Sequence, residues 1–127
     1  MAILKVSERR LETGAVEIAV EGELDLSVGE QLQEAIEAAD SGSILVDLAR
    51  CTFIDSTGIA VFLRARRLRG EEGGSLVLHS PTAPVLRVLT VTGLTGDGLL
   101  YRDRDAALAA LDSYDSTRSP GSSSPSR

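Results

Sequence analysis

The sequence predicts an α/β fold on a mixed sheet, from three observations. Ile44-Leu45-Val46 and Leu76-Val77-Leu78 are apolar at every successive position, as expected of central strands covered on both faces. Val16, Ile18 and Val20 alternate with Glu17, Ala19 and Glu21, the pattern of a half-exposed strand, so the sheet is mixed. Segments with apolar residues at helical spacing separate these runs, and strands alternating with helices imply a layered α/β structure.

In chain order, Ile3 to Arg9 reads as a first strand, Thr13-Gly14 as a turn and Val16 onward as the second strand. Ser27-Val28-Gly29-Glu30 has capping-box spacing and opens a helix whose Val28, Leu32, Ala35, Ile36 and Ala39 share one face. That helix ends near Ser41-Gly42, and Ser43 to Leu48 is a buried strand. Apolar residues return at helical spacing from Ile59 to Leu68, and the Gly73-Gly74 turn leads into Leu76-Val77-Leu78. Val85, Leu86, Val88, Leu89 and Val91 make a third helix, stopped at Gly93. A short strand around Leu99 to Tyr101 precedes a last helix from about Asp105 to Leu111. From Ser113 onward Ser, Pro, Gly and Arg dominate without apolar periodicity. The expectation is one domain over residues 1–112 and a disordered tail over 113–127, which has too little apolar surface to offset its ordering entropy.

Composition narrows the function. A chain of 127 residues supports a single core without staples. Its lone Cys51 forms no internal disulfide, and Cys51 with the single His79 cannot furnish a structural zinc site, so a reducing, cytoplasmic setting is expected. The longest unbroken apolar run, Ala106 to Leu111, is too short to span a bilayer, and no membrane association is expected. Thirteen Lys and Arg against nineteen Asp and Glu give a net charge of -6, which disfavours direct nucleic-acid binding. The basic cluster Arg64, Arg66, Arg67 and Arg69 falls in the last turns of its helix, where cations offset the macrodipole.

The most informative stretch is Phe53-Ile54-Asp55-Ser56-Thr57-Gly58-Ile59, which sets Asp55 and Ser56 on the turn between an apolar run and a helix. Ser56 there reads as a helix cap that stays reachable from outside and is suited to modification. A capping serine with no further role is the competing reading of this motif alone. Gly22-Glu23-Leu24-Asp25 follows the preceding strand, and Thr92-Gly93-Leu94 closes the helix after Pro84-Val85-Leu86-Arg87-Val88-Leu89.

In this order and spacing, over roughly Ile3 to Leu111, these segments resemble the STAS family, specifically the bacterial anti-anti-sigma factors. The resemblance implies the STAS fold, a mixed sheet of four to five strands with helices mainly on one face. It implies that Ser56 is phosphorylated by an anti-sigma factor that is also a serine kinase, with Thr57 as a minor candidate acceptor. Asp25 and Asp55, with Ser56, Thr57 and Gly58, match the partner-binding surface. The unphosphorylated protein would sequester the anti-sigma factor and free a sigma factor, and a metal-dependent serine phosphatase would reset the switch. No cofactor is implied for this chain, because ATP and magnesium belong to the kinase. One departure is Ala60, where family members often carry a second glycine. Some STAS domains instead serve transporters or stress-sensing assemblies, which remains the alternative.

No arrangement reads as an enzyme. His79 ends a strand remote from Ser56 with no acidic partner signalled in sequence, and Gly93-Leu94-Thr95-Gly96-Asp97-Gly98 reads as a connection rather than a phosphate loop. Glu71-Glu72, Asp103 and Asp105 read as solvated turn and cap residues, and Cys51 as a small buried thiol.

Overall fold

Among the described residues the elements run β1 (Lys5–Arg10), β2 (Val16–Leu24), α1 (Gly29–Ala38), β3 (Ser43–Ile54), α2 (Ser56–Glu71), β4 (Ser75–His79), α3 (Ala83–Val91), β5 (Leu100–Tyr101) and α4 (Arg104–Thr117). The computed structural model describes residues 5–25, 29–39, 42–96 and 98–117, with side chains as far as Leu111. Ile3, Leu4, Ser27, Val28, Ser41, Asp97 and the stretch 118–127, all invoked in the sequence reading, lie outside these residues.

The strands form one sheet in the order β1-β2-β3-β4-β5, with β1 antiparallel to β2 and the remaining pairs parallel. α1, α2 and α3 each connect a strand to its next parallel neighbour, always stepping in the same direction. Crossovers of the usual right hand then place all three helices on one face. Burial agrees, since Leu32 and Ile36 of α1, Phe62 and Ala65 of α2, and Val85 and Leu89 of α3 join Ile18, Val46 and Leu78 in one core. α4 follows the last strand and covers the opposite face, where Ala107 and Leu111 pack with Leu45 and Val77. Alternation along β3 and β4 thus feeds two cores, which is why both strands read as continuously apolar. Burying a side chain such as Phe62 or Leu48 contributes about 1.5–3 kcal/mol, so the larger core dominates stability.

Several boundaries differ from the sequence reading for identifiable reasons. β2 does not stop before Gly22 but runs to Leu24, because Gly22 adopts φ 105 at a shift in its register with β3 and lets the strand resume. β3 likewise continues to Ile54 past Leu48, and its far half carries exposed Ala49, Arg50, Thr52 and Phe53 that break the apolar run. β2 is more buried than a half-exposed strand, since Glu17 is only 5% exposed. Finally, α4 extends to Thr117, so residues 113–117 are helical where a disordered tail was expected. Once nucleated on its buried Ala107 and Leu111 turns, a helix gains one hydrogen bond for each further residue without new apolar contacts.

Glu17 explains its own burial. Arg104 grips it with Nε and Nη2 at 2.8–3.1 Å, Arg9 Nη2 lies at 2.8 Å, and His79 Nε2 at 3.0 Å. Burial alone raises the Glu17 pKa, but hydrogen bonds from Arg104, Arg9 and His79, with the charge of Arg104, outweigh it and lower the value to about 2. His79 therefore has an acidic partner, contrary to the sequence reading: Glu17, Asp47 and His79 stand side by side on β2, β3 and β4. His79 Nδ1 also meets the Ser80 hydroxyl at 2.7 Å. The resulting Ser80–His79–Glu17 chain differs from a hydrolytic site in two ways. Glu17 is already neutralised by two arginines. The Ser80 N–H is bonded to the Tyr101 carbonyl at 3.3 Å and the following residue is Pro81, so neither supplies an oxyanion donor. Its evident work is to clamp α4 and β1 onto the sheet.

Candidate functional site

The site forms where β2 and β3 end. Leu24 pairs with Ile54 at the last register position, and the Asp55 N–H donates to the Leu24 carbonyl at 3.2 Å. Asp25 and Asp55 are therefore the next residues beyond two neighbouring strand ends. This is the carboxyl edge of the parallel strands, where open α/β sheets place their functional sites. Asp25 is half-buried and its carbonyl accepts the Gly29 N–H at 3.0 Å, which starts α1.

Asp55, not Ser56, caps α2. Its backbone is extended (φ -116, ψ -171), and its Oδ1 accepts the Thr57 N–H at 2.9 Å and the Gly58 N–H at 3.3 Å. A carboxylate satisfies two helix-end donors and meets the positive end of the dipole with a full charge, so it outcompetes the adjacent hydroxyl. Ser56 is displaced to the first helical position, with its side chain exposed. Freed from capping, Ser56 stands exposed at the tip of α2.

Thr57 is half-buried, and its Cγ2 methyl lies 2.8 Å from where a β-carbon on Gly29 would sit. The two helix tips approach this closely only because position 29 is glycine. Gly58 is buried, and a β-carbon there would stand 2.8 Å from Ile54 Cγ1 and Leu24 Cγ. Its role in the motif is to let α2 seat on the strand ends, which positions Ser56 rather than contacting anything outside. Ala60 is exposed, so the alanine at this position meets no packing obstacle and favours the helix by up to about 1 kcal/mol over glycine.

The structure thus brings together Asp25, Asp55, Ser56, Thr57 and Gly58, with Gly58 inside and Ser56 outside. Sequence reasoning gave no role to Phe53, which is 44% exposed at the end of β3, two residues before the cap. Along α2, Ser56, Ala60, Leu63 and Arg67 are all exposed at helical spacing and form one outward stripe. Cys51 is buried, donates to the Phe53 carbonyl at 3.4 Å, and burial raises its thiol pKa, consistent with a packing role. The basic cluster serves two helices: Arg69 donates to the Ile36 and Ala39 carbonyls at the end of α1, while Arg67 pairs with Glu71 at 3.5 Å. Asp103 accepts the Ala106 N–H at 2.9 Å and so caps α4.

The domain family described as "Mlab, STAS domain" matches residues 7–101, which includes the whole site. The chain belongs to the STAS family. Among relatives of this STAS domain, the anti-sigma-B factor antagonist of Listeria monocytogenes is 30% identical over 95 residues, covering 72% of this chain and 82% of that protein. An anti-sigma factor antagonist from Mycobacterium paratuberculosis has a similar crystal structure, with a TM-score of 0.78 at 23% identity over 87% of this chain and 95% of that one. The phosphorylated form of the Bacillus cell fate determinant SpoIIAA shares the fold at a TM-score of 0.65 and 22% identity, covering 83% of this chain and 96% of that chain. Among the described residues no helix is long and apolar enough to cross a membrane.

Proposed function

We propose that this STAS domain is an anti-sigma factor antagonist acting in the cytoplasm by partner switching, with Ser56 as the phosphorylated residue. The observation that carries the reading is exposed Ser56 at the tip of α2, with Asp55 rather than Ser56 capping the helix. Unphosphorylated, the tips of α1 and α2, with Asp25, Asp55, Ser56 and Thr57, dock on an anti-sigma factor that is also a serine kinase. Exposed Phe53 at the end of β3 and Leu63, two turns along the outward stripe of α2, add apolar surface for such a contact. The sigma factor, which competes for the same partner, is then released. A metal-dependent serine phosphatase reverses the modification. This role is regulatory binding rather than catalysis by the chain itself.

Phosphorylation adds about 1.5 to 2 negative charges at pH 7. A helix N-terminus offers roughly half a positive charge, and the Thr57 and Gly58 N–H groups already serve the Asp55 carboxylate. The phosphate therefore does not settle into the helix end but projects from it, adding to the charge of Asp55. Docking would bury this anion, and each ~1.4 kcal/mol of penalty weakens binding about tenfold. Release thus needs no change of fold, and SpoIIAA supports the reading as a protein of this fold described in a phosphorylated form. The test is calorimetric titration of the cognate anti-sigma factor with wild type, Ser56→Ala and Ser56→Asp. Ser56→Ala should bind like wild type and Ser56→Asp at least tenfold more weakly. Equal affinity for all three would refute exclusion by charge.

A further inference from the structure

We infer that the outer face of α1 and α2 docks a second copy of this chain, with α1 of each copy lying over α2 of the other. The two helices carry opposite charge. α1 contains Glu30, Glu34 and Glu37, all exposed, and no basic residue, whereas α2 contains four arginines against the single acid Glu71. Neighbouring helices of opposite sign could satisfy each other, yet among the described residues no salt bridge joins these two. Arg67 turns to Glu71 of its own helix at 3.5 Å, and Glu37 accepts from Gln33 of its own helix at 3.1 Å. Arg64 is exposed and has no partner among the described residues. Between the helices lies a cavity of about 200 Å³, lined by apolar Ile36, Val61, Ala65 and Leu68 and by the charged Glu37 and Arg64.

The direction of the helices decides how such a face can pair with itself. Each follows the carboxyl end of a parallel strand, so both run the same way. Gly29 at the start of α1 meets Thr57 at the start of α2, and Arg69 in the last turn of α2 reaches the Ile36 and Ala39 carbonyls at the end of α1. A two-fold interface has to be complementary to itself. An axis across the helices would set α1 on α1, acid against acid. An axis parallel to them, running along the cavity, sets α1 of one copy over α2 of the other at the same level. Glu37 and Arg64 line one cavity and so share a level, which brings Glu37 of each copy opposite Arg64 of the other. The apolar linings of the two cavities then meet in the middle of four packed helices. Both Ser56 positions lie at the same end of this pair, and the inference does not depend on their phosphorylation.

Sedimentation equilibrium of the full-length chain, from micromolar to millimolar protein, reads the association. The ten residues of α1 span about 15 Å, a small face beside that of stable dimers, so the expected result is a weak monomer–dimer equilibrium that sodium chloride weakens further. Arg64→Glu and Glu37→Arg, both at exposed positions, should each weaken dimerisation at least tenfold, although Glu37→Arg reduces the net negative charge of the chain. The double variant re-forms the pair with its signs exchanged and should return to within about threefold of wild type. Arg102→Glu makes the same change of charge at an exposed position outside both helices and should dimerise like wild type, with circular dichroism checking that every variant is folded. A chain that stays monomeric throughout would overturn the inference and leave this face to a different protein. So would an Arg102→Glu variant as weak as Arg64→Glu, or a double variant as weak as either single one.

Discussion

Replacing Asp55 by alanine removes the acceptor of two helix-end N–H groups and a negative charge at the positive end of a sixteen-residue helix. Loss of such a cap costs about 1 kcal/mol, and loss of the favourable charge about 0.3–1 kcal/mol more. The sum, about 1–2 kcal/mol, corresponds to a melting point lower by roughly 4–8 °C at about 4 °C per kcal/mol for a domain of this size. Asp55→Asn keeps an acceptor and should lose only the charge contribution, on the order of 0.5 kcal/mol. Ser56→Ala, which changes an exposed side chain at the first helical position, should stay within about 0.5 kcal/mol of wild type. Urea unfolding followed by circular dichroism measures all three, provided the dependence on urea keeps the same slope. If Ser56→Ala proved as destabilising as Asp55→Ala, the serine would be the cap and its hydroxyl would not be available as described.

Other consequences follow from packing and charge. Gly58→Ala drives a β-carbon to within 2.8 Å of Ile54 and Leu24, so it should destabilise by about 1–3 kcal/mol and weaken anti-sigma binding by displacing α2; wild-type stability would contradict the seating argument. Glu17 has its pKa lowered from 4.5 to about 2, so its contribution to stability is complete above pH 4.5 and is lost as pH falls through 2. That contribution is on the order of 3 kcal/mol. Glu17→Gln should therefore destabilise at pH 7 and flatten the loss of stability between pH 4.5 and 2; a parallel pH profile for the two proteins would refute it.

Much of this fold is legible in the sequence because both cores impose their own period. Ile44-Leu45-Val46 and Leu76-Val77-Leu78 are apolar throughout since helices cover both faces, and the α1 stripe of Leu32 and Ile36 stands out at helical spacing. What escaped depends on contacts distant in sequence. Nothing local to Glu17 announces Arg104, 87 positions later, so a buried carboxylate read as the solvent face of a strand. The second half of β3 pairs with β2 through a register shift at Gly22, which breaks the alternation by which strands are recognised. At the site, the order strand, Asp55, Ser56, helix was readable, but which of two capping residues wins is settled by backbone geometry. The exposure of Phe53 was hidden because an aromatic residue in an apolar run reads as core.

The central claim is that Ser56, and not its neighbour, receives the phosphate. Incubation of the full chain with its cognate anti-sigma factor kinase and ATP, followed by peptide mapping by mass spectrometry, tests it directly. The account predicts one phosphate per chain on Ser56 and none on the Ser56→Ala variant, because Thr57 is half-buried with its methyl packed toward Gly29. Phosphate on Thr57 in the wild type, or full modification of Ser56→Ala, would contradict it.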